Sequence, residues 1–142
     1  MSQQPPSWPD CLADGYFVNG CLHPGFVVRE RMEDLARTMA SAQPGLTTHQ
    51  IRRFFQHCRA IEARLRAKNS TWEREQTEFM KLDVSVADAF GKSPPKVPEV
   101  FRDFIQRNVA AVKSQKDFLE GFLPHFEALV GFGSAYFRNE RS

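Results

Sequence analysis

This chain lacks the usual signatures of chemistry. Its four histidines occur singly without HExxH-type spacing, and no glycine-rich loop of the GxxxxGK[ST] form is present. Without a nucleophile beside a base, a metal cluster or a phosphate cradle, neither an intrinsic enzyme nor a cofactor is expected. Cysteine is scarce: Cys11, Cys21 and Cys58 cannot all pair within one chain, which fits a reducing, cytoplasmic setting. Cys11, Cys21 and His23 invite a metal reading, but no fourth ligand follows at a recognisable spacing, so no metal is expected. Nowhere do about 18 apolar residues run together, and the first residues, MSQQPPSWPDC, lack a basic start followed by an apolar run. Neither export nor a membrane partner is expected. Strand-like alternation long enough to build a sheet is missing too, as is any internal repeat.

What remains is helical pattern. At about 100° per residue, Ile51, Phe54, Phe55, Cys58, Ile61 and Leu65 fall on one arc of the stretch Leu46 to Lys68, the buried face of an amphipathic helix. Thr47 and Gln50 form a capping-box pattern at its start. Arg52, Arg59 and Arg66 recur along one flank and Arg53, His57, Arg64 and Lys68 along the other, with Ala60, Ala63 and Ala67 between them. The result is a low basic surface, some of whose charge Glu62 can pair.

The net charge of +2 conceals segregation. By segment it is −2 over 1–45, +5 over 46–68, −3 over 69–90, +4 over 91–116 and −2 over 117–142. Two basic segments packed side by side would make a polyanion surface.

The remaining chain reads as an irregular extension over 1–24 and a helical bundle domain over 25–142. Pro5, Pro6 and Pro9 oppose regular helix in the extension, while Asp14-Gly15 and Asn19-Gly20 are turn dipeptides around Tyr16-Phe17-Val18, predicting a loose or hairpin-like segment. Its Trp8, Tyr16 and Phe17 are expected to dock on the bundle. A first helix is predicted from about Gly25 to Ala40. A third follows Asn69-Ser70, with Ser70 and Glu73 as a second capping box, and carries Trp72, Phe79, Leu82, Val86 and Phe90. A fourth is predicted from about Pro98 to Ser114, its arc placing Arg102, Lys113 and Lys116 together as a second phosphate-binding stripe. The fifth, from about Asp117 to Phe137, is apolar over most of its circumference and must be central or at an interface; Pro124 should bend or divide it. Gly131 and Gly133 read as close packing. The predicted fold is an all-α, single-domain bundle of about five helices.

The stretch LTTHQIRRFF resembles the opening of a helix in the small, helical Csm subunit of type III-A CRISPR effector complexes. LDVSVADAFGK at Leu82 to Lys92 and FLPHFEALV at Phe122 to Val130 resemble the same family in the same order, so the resemblance covers about Leu46 to Phe137. Asp88 stands where an aromatic is usual and Lys92 where an arginine is usual. The resemblance implies a non-catalytic subunit lining the inner filament of a complex, with other Csm subunits, guide RNA and target RNA backbone as partners and self-stacking or a homodimer also open. The RNA-binding residues it implies, together with the basic stripes, are Arg52, Arg53, Arg59, Arg66, Lys92, Arg102, Lys113 and Lys116. A homodimeric scaffold without nucleic acid, or a bundle binding a small molecule, accounts for the broad apolar fifth helix equally well.

Overall fold

The computed structural model describes residues 8–138. The chain runs through a short helix α1 (Trp8–Leu12), a hairpin of β1 (Phe17–Val18) and β2 (Cys21–Leu22), and a 3₁₀ turn (Pro24–Phe26). Helices α2 (Arg29–Ser41), α3 (Thr48–Arg66), α4 (Trp72–Phe90) and α5 (Glu99–Ala111) follow, then a π-helical stretch (Asp117–Phe122) that passes directly into α6 (Leu123–Gly133). The predicted helical bundle is therefore present, with five substantial helices and a small hairpin before them.

The hairpin closes at Asn19 and Gly20, whose φ angles of 53° and 81° are those of the tight turn that Asn-Gly favours. Pro9 does not exclude helix, contrary to expectation: it lies in the first turn of α1, where a missing N–H costs nothing. Pro5 and Pro6 lie outside the described residues. The helix predicted from Gly25 begins only at Arg29, because Pro24 and Gly25 form the 3₁₀ turn and Val28 is extended. At α3 the capping box is complete, with Thr47 Oγ1 accepting from Gln50 N–H and Gln50 Oε1 accepting from Thr47 N–H. The second capping box does not form. Thr71 occupies the N-cap of α4, and Ser70 instead donates its hydroxyl to Glu75 Oε2 at 2.7 Å.

Phenylalanines dominate the core. Phe118, Phe122 and Phe126 descend one side of the last helix and meet Phe79 from α4 and Phe101 and Phe104 from α5. Phe54 of α3 joins them through Phe101, and Phe55 through Phe126. The all-round apolar helix is thus central. Pro124 changes the helix type instead of breaking it: Leu123 N–H bonds to Phe118 O, one residue further back than in an α-helix, and the proline falls at the start of α6. Gly133 is a close approach, since a Cβ there would meet Ala36 Cβ at 2.7 Å, whereas Gly131 faces open space.

The extension docks as expected. Trp8 lies edge-on to Phe104, and Tyr16 is fully buried with its hydroxyl donating to Asn108 Oδ1 at 2.8 Å. Asn108 in turn donates to Phe104 O, so a polar side chain on the apolar arc of α5 is satisfied by the extension and its own helix. Removing the Tyr16 hydroxyl should strand the Asn108 carbonyl oxygen. Tyr16→Phe is expected to cost ~1–3 kcal/mol in urea unfolding, and an unchanged midpoint would show that this bond contributes nothing.

His125 is the other buried polar group in this region. Its Nδ1–H donates to Phe26 O at 2.6 Å while Nε2 finds no partner among the described residues, and Trp8, Phe26 and Phe104 surround the ring. Burial pushes its pKa down to about 4. The unfolded imidazole, near 6.5, therefore binds a proton that the folded one refuses. Stability should be full above pH ~6.5 and fall by ~3 kcal/mol as the pH drops through about 4. The hydrogen bond from Arg64 holds the Glu75 carboxyl below the usual carboxylate range. Unfolding free energies between pH 7 and pH 4 should lose this step in His125→Leu; an identical slope in both proteins would count against the assignment.

Candidate nucleic-acid interface

The outward face of α3 is built as its sequence period requires. Ile51, Phe54, Cys58, Ile61 and Leu65 are buried, leaving Ala60, Ala63 and Ala67 exposed as a floor one methyl high, with exposed Gln56 at its start. Arg52 and Arg53 stand exposed on its two sides near the start of the helix. Arg53 lies over its neighbour Phe54, 5.0 Å from the ring centre, and neither arginine has a carboxylate partner among the described residues.

Further along, much of the charge is engaged. Arg59 and Arg66 grip the two oxygens of Glu62 at 2.7 and 2.8 Å, and Arg59 also reaches Glu127 on α6 at 3.4 Å. Burial opposes ionisation of Glu62, yet the hydrogen bonds from Arg66 and Arg59 hold its carboxyl below the usual range. The 59/66 part of the stripe is therefore a mixed-charge cluster. Glu62 was visible as a partner from its i−3 and i+4 spacing, but Glu127 had no sequence signal, being on another helix.

The opposite flank packs toward α4. Arg64 donates from Nε and Nη2 to Glu75 Oε1 at 3.0 and 2.7 Å, Ser70 takes the other oxygen, and His57 Nε2 sits 2.7 Å from Glu78 O. Arg64 is thus committed to holding the α3–α4 turn, where Glu75 is nearly inaccessible. Lys68, left out of the candidate set, takes a left-handed φ of 59° just past α3 and lines a cleft with Ser70, Thr71, Glu73 and Lys113.

The predicted arc of Arg102, Lys113 and Lys116 does not exist as one stripe. α5 ends at Ala111, Val112 is extended, and Lys113 N–H is taken by Asp117 Oδ2, so the helical period stops before either lysine. Arg102 stacks on Phe90 at 4.5 Å and faces Glu99 at 3.5 Å; Asp103 is 3.0 Å from its Nε but not aligned for a hydrogen bond. Lys92 pairs with Asp88 at 3.3 Å. Lys116 lies 4.7 Å from the centre of the Phe17 ring, beside the hairpin. The structure thus joins Lys113 to Lys68, and leaves Lys92 just past the end of α4, Arg102 in the first turn of α5 and Lys116 beside the hairpin.

Among the described residues, no group of three or more His, Cys, Asp and Glu side chains is arranged to hold a metal ion, and no helix is long and apolar enough to cross a membrane. Cys11 Sγ and His23 Nδ1 are 3.6 Å apart, but His23 Nδ1 also accepts from Gly25 N–H, and Cys21 is exposed.

The sequence profile of the Csm2 Type III-A family matches residues 28–139, from the start of α2 to beyond α6. The chain belongs to that family. No curated protein and no solved structure gives a match. Csm2-family proteins are the non-catalytic small subunits of the type III-A CRISPR effector complex, so this chain associates with the Csm complex and its CRISPR RNA. The match begins well before Leu46, which brings α2 into the family region, and it leaves α1 and the hairpin outside.

Proposed function

We propose that the alanine-floored face of α3 lays this Csm2 subunit along the phosphate backbone of the guide RNA and its paired target. The observation that carries the reading is the placement of Arg52 and Arg53 on either side of an exposed alanine floor, neither with a carboxylate partner among the described residues. A backbone strand can approach such a floor closely, and guanidinium groups at its edges donate to phosphate oxygens without reading bases. Arg59 and Arg66 extend the track over about 21 Å from Arg52, at ~1.5 Å per residue, and must exchange Glu62 or Glu127 for phosphate. Lys113, beside Lys68, continues the track past the end of α3. Lys92, Arg102 and Lys116 act as outlying contacts, weakened by the partners they already hold.

Subunit binding to single-stranded RNA should be insensitive to sequence and fall with salt, with a slope in log K against log salt of about −0.7 per phosphate contacted. Fluorescence anisotropy at several salt concentrations measures it. Binding that ignores salt, or that selects one base sequence over another, would remove the basis of this reading.

A further inference from the structure

The basic stripe of α3 does not stop at the start of that helix. Arg52 stands one turn above Thr48 on the same helical face, and the segment after α6 crosses α3 at that residue. Thr48 N–H donates to Arg138 O at 2.8 Å, and its hydroxyl donates to Phe137 O at 3.2 Å. Arg138 therefore lies at the foot of the stripe that Arg52, Arg59 and Arg66 form. It also lines a groove of about 330 Å³ with Arg37, Ala40, Ser41 and Tyr136.

The walls of this groove are held in place before any ligand arrives. Arg37 lies over the Tyr136 ring, 5.4 Å from its centre, and pairs with Asp34. The Tyr136 hydroxyl donates to Glu33 Oε2 at 2.8 Å, and Glu33 also faces Arg29 at 3.6 Å. Both carboxylates are thus engaged, whereas Arg138 is exposed with no carboxylate partner among the described residues. A phenol ring and a guanidinium offer flat surfaces to another flat group, and the edge toward α3 is positive.

We infer that this groove seats an unpaired base of the RNA strand against the Tyr136–Arg37 pair, with Arg138 on the phosphate that joins it to the α3 track. The inference rests on the α3 reading, which brings the strand to Thr48. Bases stack on aromatic rings and on arginine planes whatever their identity, so the site adds affinity without sequence preference. A base inside the guide–target duplex already has both faces covered, so the nucleotide taken here lies outside that pairing.

The test compares ordinary single-stranded RNA with an abasic strand of the same length, which keeps the phosphates and lacks the bases. By fluorescence anisotropy the wild-type subunit should bind the ordinary strand about tenfold more tightly, within the range that base–aromatic stacking contributes. Tyr136→Leu should lose that preference with its salt slope unchanged, and Tyr136→Phe should keep it. Equal wild-type affinity for the two strands overturns the inference, as does a Tyr136→Leu variant that still prefers the ordinary strand. A wild-type dimer that becomes monomeric in Tyr136→Leu would assign the groove to a second copy and overturn it too. Should Tyr136→Leu fail to fold, ultraviolet cross-linking of the wild type to 4-thiouridine RNA decides: an adduct on Tyr136 supports the site, and adducts confined to α3 overturn it. Failure of the α3 reading shows separately, in the salt slope of its arginine variants.

Discussion

Replacing Arg52 and Arg53 together by glutamate is expected to weaken RNA binding roughly tenfold or more near 0.15 M salt, and to reduce the salt slope by about 1.4. The arithmetic is that of counterion release: each phosphate contact removed abolishes about 0.7 of slope on a single strand, and the new carboxylates add repulsion. These two positions suit the test better than Arg59. Both are exposed and neither forms an ion pair among the described residues, so their loss takes little from the folded state. Arg59→Glu would instead set a third carboxylate beside Glu62 and Glu127, and a weakened complex would then report on stability as much as on RNA. Anisotropy with a guide-length RNA, alongside circular dichroism, separates the two. A folded double variant that binds RNA as tightly as wild type at every salt concentration would reduce the arginine face to solvated surface.

Phe126→Ala is expected to cost ~3–5 kcal/mol of folding stability. Phe126 is fully buried and is ringed by Phe55 at 5.3 Å, Phe122 at 5.5 Å, Phe104 at 5.8 Å and Phe101 at 6.4 Å. These neighbours come from α3, α5 and the last helix, so no single element can relax into the space left behind. Truncation therefore loses both transfer energy and packing around a cavity. Against a total of about 5–15 kcal/mol for a domain, such a loss populates the unfolded chain. Urea unfolding measures the difference, and a cost under ~1 kcal/mol would show that the aromatic cluster is loosely packed.

How legible these features were depends on the reach of the forces behind them. The Thr47–Gln50 cap and the Asn19–Gly20 turn are satisfied within four residues of chain, so the local pattern was sufficient. Ser70 and Glu73 show the same spacing as Thr47 and Gln50, yet there the hydroxyl goes to Glu75, because that carboxylate is drawn into the α3–α4 junction by Arg64. Extending the α5 period to Lys113 and Lys116 failed for a related reason. The helix stops at Ala111, and Asp117 captures Lys113 N–H from beyond the end. For the candidate site, the exposed floor and the flanking arginines followed from a 3.6-residue period alone. How much of their charge is free did not, since Glu127 approaches Arg59 from a helix far along the chain.

The docking of the extension separates two meanings of a domain. By kinship the unit starts at residue 28, where the family match begins. By packing it starts earlier, because Gly121 leaves a hollow that the Tyr16 ring occupies: a Cβ on Gly121 would lie 2.5 Å from Tyr16 Cγ. Excising the chain at residue 28 would therefore not yield an intact core. It would open a socket lined by Asn108, Gly121 and His125, which Trp8 and Tyr16 fill from before the family match.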